Sequence, residues 1–144
     1  MGKKRIIKKA DDAGSSESKP GAVSTSSRKK LSRGVVHILS TYNNTLLTLT
    51  DENGNVYAST SSGRSGFSGS KKGTPYAASK AAEVLADKGR EMGLAEIDIR
   101  IKGVGSGRES ALRMFGQKGF LINSVKDMTP IPHGHTRPAK PRRV

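Results

Sequence analysis

Between Ala95 and Lys102 the chain alternates without a slip. Ile97, Ile99 and Ile101 take one parity; Glu96, Asp98, Arg100 and Lys102 take the other. A period of two marks a strand with one apolar and one polar face. The flanks narrow the fold further. Upstream, Thr74 is a good N-cap and Pro75 a good first helical residue. The spacing of Ala78, Ala81, Ala82, Leu85, Gly89 and Met92 predicts a helix from Pro75 to about Met92, stopped by Gly93. Its stripe is made of small side chains, so it can lie close to a sheet. Downstream, Gly103-Val-Gly-Ser-Gly107 leads into a second helix, with Ala111, Leu112 and Phe115 as its stripe and Gly119 as its end. Ser106 and Glu109 have capping-box spacing. Phe120 to Lys126 then reads as another strand. Both of these strands arrive through helical crossovers, which are right-handed. If both advance in the same direction, the two helices share one face and the polar side of 95–102 stays open.

Three strands come first. Val35 to Leu39 is a near-continuous apolar run suited to a central strand, and Thr45 to Thr50 is a second strand. Tyr42-Asn43-Asn44 lies between them, where asparagine tolerates the positive φ of a tight turn. Asn53-Gly54 is a hairpin signal into a third strand over residues 55–60. The order β-β-β-α-β-α-β describes an α/β domain with a mixed five-stranded sheet and two crossover helices. Ribonuclease-H-like folds share this order. Extended basic tails stand at both ends.

The formal net charge is +14. Residues 1–33 hold ten Lys or Arg against three acids, and residues 128–144 hold four against none. The middle, 34–127, carries an excess of three, matched by Arg64, Lys71 and Lys72 in the acid-free stretch 61–73. This gives a basic arm (1–33), a globular domain (34–127) and a basic, proline-rich tail (128–144). The arm has few apolar residues to bury and is expected to be disordered when free. Pro130, Pro132, Pro138 and Pro141 hold the tail extended. Arms of one sign need a counter-charge before they order, and a polyanion supplies it through phosphate contacts. On charge alone the partner is RNA, DNA or an acidic protein.

Several chemistries drop out. Without cysteine there is no disulfide scaffold, thiol nucleophile or cysteine metal site. No apolar run approaches the roughly 20 residues of a membrane span. The start, Met1 to Ala10, has no apolar core after its lysines and is not read as a secretory signal. A soluble intracellular protein follows as the expectation. Position 108 is Arg where a dinucleotide loop needs its third glycine. Those glycines read better as chain reversals, although Arg108 beside a helix start can hold a phosphate. His133 and His135 are too few for a metal site and read as solvated or phosphate-facing. His37 reads as a hydrogen-bonded strand residue. Val35-Val-His-Ile-Leu39 lacks the first-strand carboxylate of a two-metal nuclease. No cofactor, metal or small-molecule substrate is expected.

Several segments together resemble one family. They are Gly34-Val-Val-His-Ile38, Tyr42-Asn-Asn-Thr45, Gly66-Phe-Ser-Gly-Ser-Lys71, Gly73-Thr-Pro-Tyr-Ala-Ala78, Gly103-x-Gly-x-Gly-Arg-Glu-Ser110 and Asp127-Met-Thr-Pro-Ile-Pro-His133, with Arg137-Pro and Arg142-Arg-Val144 at the end. In this order and spacing the chain, from about residue 33 to 144, is similar to small-subunit ribosomal protein eleven. The resemblance implies a non-enzymatic, ribosome-bound cytoplasmic protein that bridges small-subunit ribosomal RNA helices on the platform. It also implies neighbouring platform proteins and a nearby messenger leader, paired with the ribosomal RNA end. Residues 134–141 depart from the family's usual pattern, with Pro141 where a base is common, but keep its cationic, proline-rich character.

Candidate RNA contacts follow. Arg64, Lys71 and Lys72 are expected to meet phosphates from a loop whose glycines and serines, Ser68 and Ser70 among them, let backbone come close. Asn43 and Asn44 are candidates for sugar or base-edge bonds, or serve hairpin geometry alone. Phe67 is expected to stack on an unpaired base, as the one large apolar residue in a polar loop; Tyr42 and Tyr76 are further candidates, Tyr76 equally suited to the core. Arg108, His133, Arg137, Lys140, Arg142 and Arg143 complete the set.

Overall fold

A computed structural model describes residues 30–134 and 138–141. The strands are β1 (Arg33–Ser40), β2 (Thr45–Thr50), β3 (Val56–Ser61), β4 (Glu96–Lys102) and β5 (Leu121–Asp127). The helices are α1 (Pro75–Glu91) and α2 (Gly107–Gln117). The sheet runs in the order β3-β2-β1-β4-β5. β1 pairs antiparallel with β2 and parallel with β4; β2–β3 is antiparallel and β4–β5 parallel. This is the mixed five-stranded sheet that the sequence implies.

Each terminus of α1 has a local cause. The Ala77 amide donates to the Thr74 hydroxyl at 3.3 Å, and Pro75 needs no amide partner at the first position. Gly93, with φ of +83°, lets the chain leave the helix. The second helix begins differently. Ser106 has helical φ and ψ and makes no side-chain cap, so the expected capping box with Glu109 does not form. Its hydroxyl instead donates to the Gly73 carbonyl at 2.8 Å, tying the two helix starts together.

Both crossovers advance the same way, so α1 and α2 pack together on one face of the sheet. The core lies between them and Val36, Ile38, Leu47, Leu49, Ile97, Ile99 and Ile101. Each such Val, Leu or Ile contributes roughly 1.5–3 kcal/mol relative to leaving it exposed. The α1 side of the core is mostly alanine: Ala77, Ala78, Ala81, Ala82 and Ala86, with Leu85. Met92, expected on this stripe, is only partly buried.

Leu31 and Arg33, grouped with the arm by charge, pack on the domain. Leu31 is 8% exposed, its amide donates to Met92 at 3.0 Å, and Arg33 opens β1. The remainder of the arm, 1–29, lies outside the described residues.

No helix among the described residues covers the opposite face of the sheet. There the register sets His37 between Thr48 and Arg100, and Leu39 between Leu46 and Lys102. His37 is half-buried, with Nε2 3.2 Å from the Thr50 hydroxyl. Burial, and then Arg100, hold its pKa below the ordinary value. Asp98 accepts from Ser124 at 2.6 Å and from Arg33 at 3.1 Å, and these bonds, Ser124's first, lower its pKa. No described helix is long and apolar enough to cross a membrane.

Candidate nucleic-acid interface

β1, β3, β4 and β5 all run in one direction, so their carboxyl ends meet along one edge of the sheet. The β1–β2 turn, the 62–73 loop, the starts of both helices and the beginning of the tail all lie there. Open α/β sheets present ligands at this edge.

The β1–β2 turn is rigid for reasons spread through the chain. The Thr41 amide and hydroxyl both donate to the Asn44 carbonyl, at 2.9 and 3.0 Å. The Asn44 amide donates back to the Thr41 hydroxyl at 3.1 Å, and the Asn44 carboxamide oxygen accepts from the Thr45 amide at 3.0 Å. No non-glycine residue among those described has a positive φ, so this turn does not use the left-handed asparagine the sequence suggested. Glycines then close on the turn from outside. A Cβ on Gly73 would stand closer than 3.0 Å to the Tyr42 carbonyl; on Gly103, to that of Ser40; on Gly105, to that of Thr41. Gly107 has the same relation to the Thr45 hydroxyl and the Ala78 methyl. The 103–107 glycines are therefore close-approach positions against the first hairpin. They do more than reverse the chain. Tyr42 stands 80% exposed on the turn, and Asn43 is exposed beside it.

The 62–73 loop is anchored at both ends and open in the middle. Ser62 is fully buried, and its amide donates to the Thr45 carbonyl at 3.0 Å. Gly69–Gly73 forms one 3₁₀ turn, with Lys71 and Lys72 in it and Ser68 as its N-cap. Ser68, Ser70 and Lys71 are exposed, and Lys72 is half-buried. Cβ atoms on Gly66 or Gly69 would meet nothing within 4 Å. Phe67 is half-buried, its ring edge-on to Tyr76 at 5.8 Å and 89°. Tyr76 is 64% exposed, not core. Arg64 faces another way. It lines a groove of about 360 Å³ with Tyr57, Lys88, Glu91 and Met92, along β3 and the end of α1.

Arg108 is turned inward. One guanidinium nitrogen donates to the Gly103 carbonyl at 2.7 Å, and the other pairs with Asp127. Asp127 also accepts from the Thr129 hydroxyl at 2.6 Å and the Thr129 amide at 2.9 Å. The Thr129 hydroxyl oxygen accepts from the Gly103 amide at 3.1 Å. The Thr129 hydroxyl first, then Arg108, then the Thr129 amide lower the Asp127 carboxyl from 3.8 to about 2. This latch fixes where the tail leaves the sheet. The sequence reading missed this latch, although half of it has a local signal: an aspartate can bond the backbone two residues downstream. The Arg108 half joins residues 19 apart and has no local signal. His133 and Lys140 are exposed. Arg137, Arg142 and Arg143 lie outside the described residues. No group of His, Asp or Glu among the described residues is placed to hold a metal ion.

Fold and edge together define a class: a small α/β domain that gathers cations, hydroxyls and aromatic rings along the carboxyl edge of a mixed sheet. The family model described as Ribosomal protein S11 matches residues 34–143, most of the chain. The chain belongs to that family, whose members are structural proteins of the small ribosomal subunit, with ribosomal RNA and ribosomal proteins as partners.

Proposed function

We propose that this edge is the RNA-binding surface of a non-catalytic platform protein. The chain bridges small-subunit ribosomal RNA helices there and helps form the cleft where the messenger leader pairs with the RNA's end. The observation that carries the reading is convergence. A turn clamped by four glycines, a 3₁₀ turn bearing Lys71 and Lys72, and a latched tail leave the same edge. Lys71 and Lys72 bind phosphates, while Ser68, Ser70 and Asn43 supply hydrogen bonds to phosphate or sugar. Asn44 is different, because its carboxamide oxygen already holds Thr45; its role is to shape the turn. Phe67 and Tyr76 act as a pair, one ring buttressing the other against an unpaired base. Arg108 positions the tail, and His133, Lys140, Arg137, Arg142 and Arg143 extend the phosphate contacts along it. Arg64 reaches RNA on the β3 side.

The test is reconstitution of small subunits with the full chain, followed by backbone footprinting of the RNA. Protection on two separate helices, lost at one of them in the Lys71→Ala, Lys72→Ala variant, is the expected result. Unchanged protection in that variant would remove the loop from the interface.

A further inference from the structure

The open face of the sheet lies outside the edge described above, and its two halves differ. Near the start of β1 the charges are matched. Arg33 pairs with Asp98 at 3.1 Å and Glu52 at 3.2 Å, and Asn123 donates to Glu96 at 3.0 Å. Toward the other end stand Arg100, Lys102 and Lys126, none of them in an ion pair among the described residues. These cations flank exposed apolar side chains: Leu39 at 38%, Leu46 at 41% and Met128 at 56% exposure. A groove of about 270 Å³ runs between them, lined by His37, Leu39, Arg100, Lys102 and Met128 among others.

We propose that this half of the open face binds an acidic protein segment carrying apolar side chains, contributed by a neighbouring protein of the assembled subunit. The inference rests on the reading of the chain as an assembled subunit protein. Charge complementarity selects the occupant. Carboxylates answer Arg100, Lys102 and Lys126, while aliphatic or aromatic groups cover Leu39, Leu46 and Met128. This is the usual apolar centre and polar rim of a protein interface. RNA fits less well. Sheet surfaces that read RNA stack its bases on exposed aromatic rings. The strand positions of this half carry no Phe, Tyr or Trp, and His37 is half-buried with its ring nitrogen held at the Thr50 hydroxyl. A phosphate backbone also gains nothing from Leu39 or Leu46. The chain's own segments have the wrong sign: residues 1–29 hold eight Lys or Arg against three acids, and 128–144 hold no acid.

A photo-crosslinking benzoylphenylalanine at Leu46, in the full chain reconstituted into small subunits, tests this. Irradiation should join it to a peptide of another subunit protein with at least two Asp or Glu close to the crosslinked residue. Adding Arg100→Glu and Lys102→Glu should lower the yield about fivefold or more, with incorporation unchanged. Should the reversed chain fail to incorporate, Lys102→Gln with Lys126→Gln supplies the same reading at about a twofold loss. A crosslink to ribosomal RNA, a crosslinked peptide without acids, no crosslink, or a yield indifferent to the charge changes would each overturn the proposal. Failure of the otherwise unaltered photo-crosslinking chain to enter the subunit would instead count against the proposed function.

Discussion

Two loops of this chain look alike on paper and differ in the fold. Residues 61–73 and 103–107 are both rich in glycine and serine, and each has basic residues in it or next to it. In the second, Gly103, Gly105 and Gly107 all stand against the first hairpin with no room for a Cβ, and the neighbouring Arg108 binds its own backbone and Asp127. In the first, Gly66 and Gly69 face open space, and Lys71 points to solvent. One loop uses glycine to let backbone approach backbone within the protein. The other does so only at its last glycine, Gly73, and leaves the backbone of its middle accessible from outside. Glycine content alone therefore does not identify a phosphate loop. What surrounds each missing Cβ does.

The largest effect expected from this contrast is on folding. Gly105→Ala pushes a methyl into the Thr41 carbonyl at a buried site. It should cost about 3 kcal/mol or more in chemical denaturation, at the upper end of overpacking. Gly66→Ala meets no neighbour, but its φ of +93° strains an alanine. About 1–2 kcal/mol is expected there. Equal losses at the two positions would erase the distinction.

Next come the cations. Lys71→Ala with Lys72→Ala should weaken ribosomal RNA binding roughly tenfold and reduce the salt slope by about 2, with stability changed by less than about 0.5 kcal/mol. Arg108→Met should do the reverse: loosen the fold at the tail's exit and leave the salt slope alone. A flattened slope in the Arg108 variant would mean that both loops meet phosphate.

A smaller effect follows pH. The Asp127 carboxyl lies at about 2 in the fold against an ordinary 3.8. A depressed value means that its stabilising bonds are complete above 3.8 and are lost as pH falls toward about 2. The Thr129 amide resonance should therefore shift in that window, and Asp127→Asn should abolish the shift. A shift that persists in the variant would assign the transition to another carboxylate. The smallest effect is expected at Gly63, where an added methyl would only touch the Lys72 side chain at 3.4 Å. Gly63→Ala should stay within about 0.5 kcal/mol of the parent. A clear loss there would show that the first loop is as tightly clamped as the second.

Local pattern was enough for much of this fold. The alternation at 95–102, the Thr74-Pro75 start and the Asn53-Gly54 hairpin each encode an element through backbone propensity and period, which need only neighbouring residues. Strand existence, element order and the shared helix face followed from them, and the apolar run around His37 was enough to read it as a hydrogen-bonded strand residue. The cap at Ser106 did not, because that hydroxyl had a better partner 33 residues away. Tyr76 was ambiguous for a similar reason: whether a residue in the first helical turn is buried depends on what lies across from it.

The sequence by itself determined the sheet class, the element order and the placing of surplus charge. These rest on period, turn chemistry and composition, all local quantities. The tertiary structure decided which glycines touch backbone, that Arg108 faces inward, that Phe67 leans on Tyr76, and that half of the open face has cations with no ion-pair partner among the described residues beside exposed leucines. Each of these depends on β4 lying beside β1 and on the helix starts meeting over the first turn. These contacts join residues from 9 to 64 positions apart and are set by sheet order and packing, so local sequence pattern does not show them.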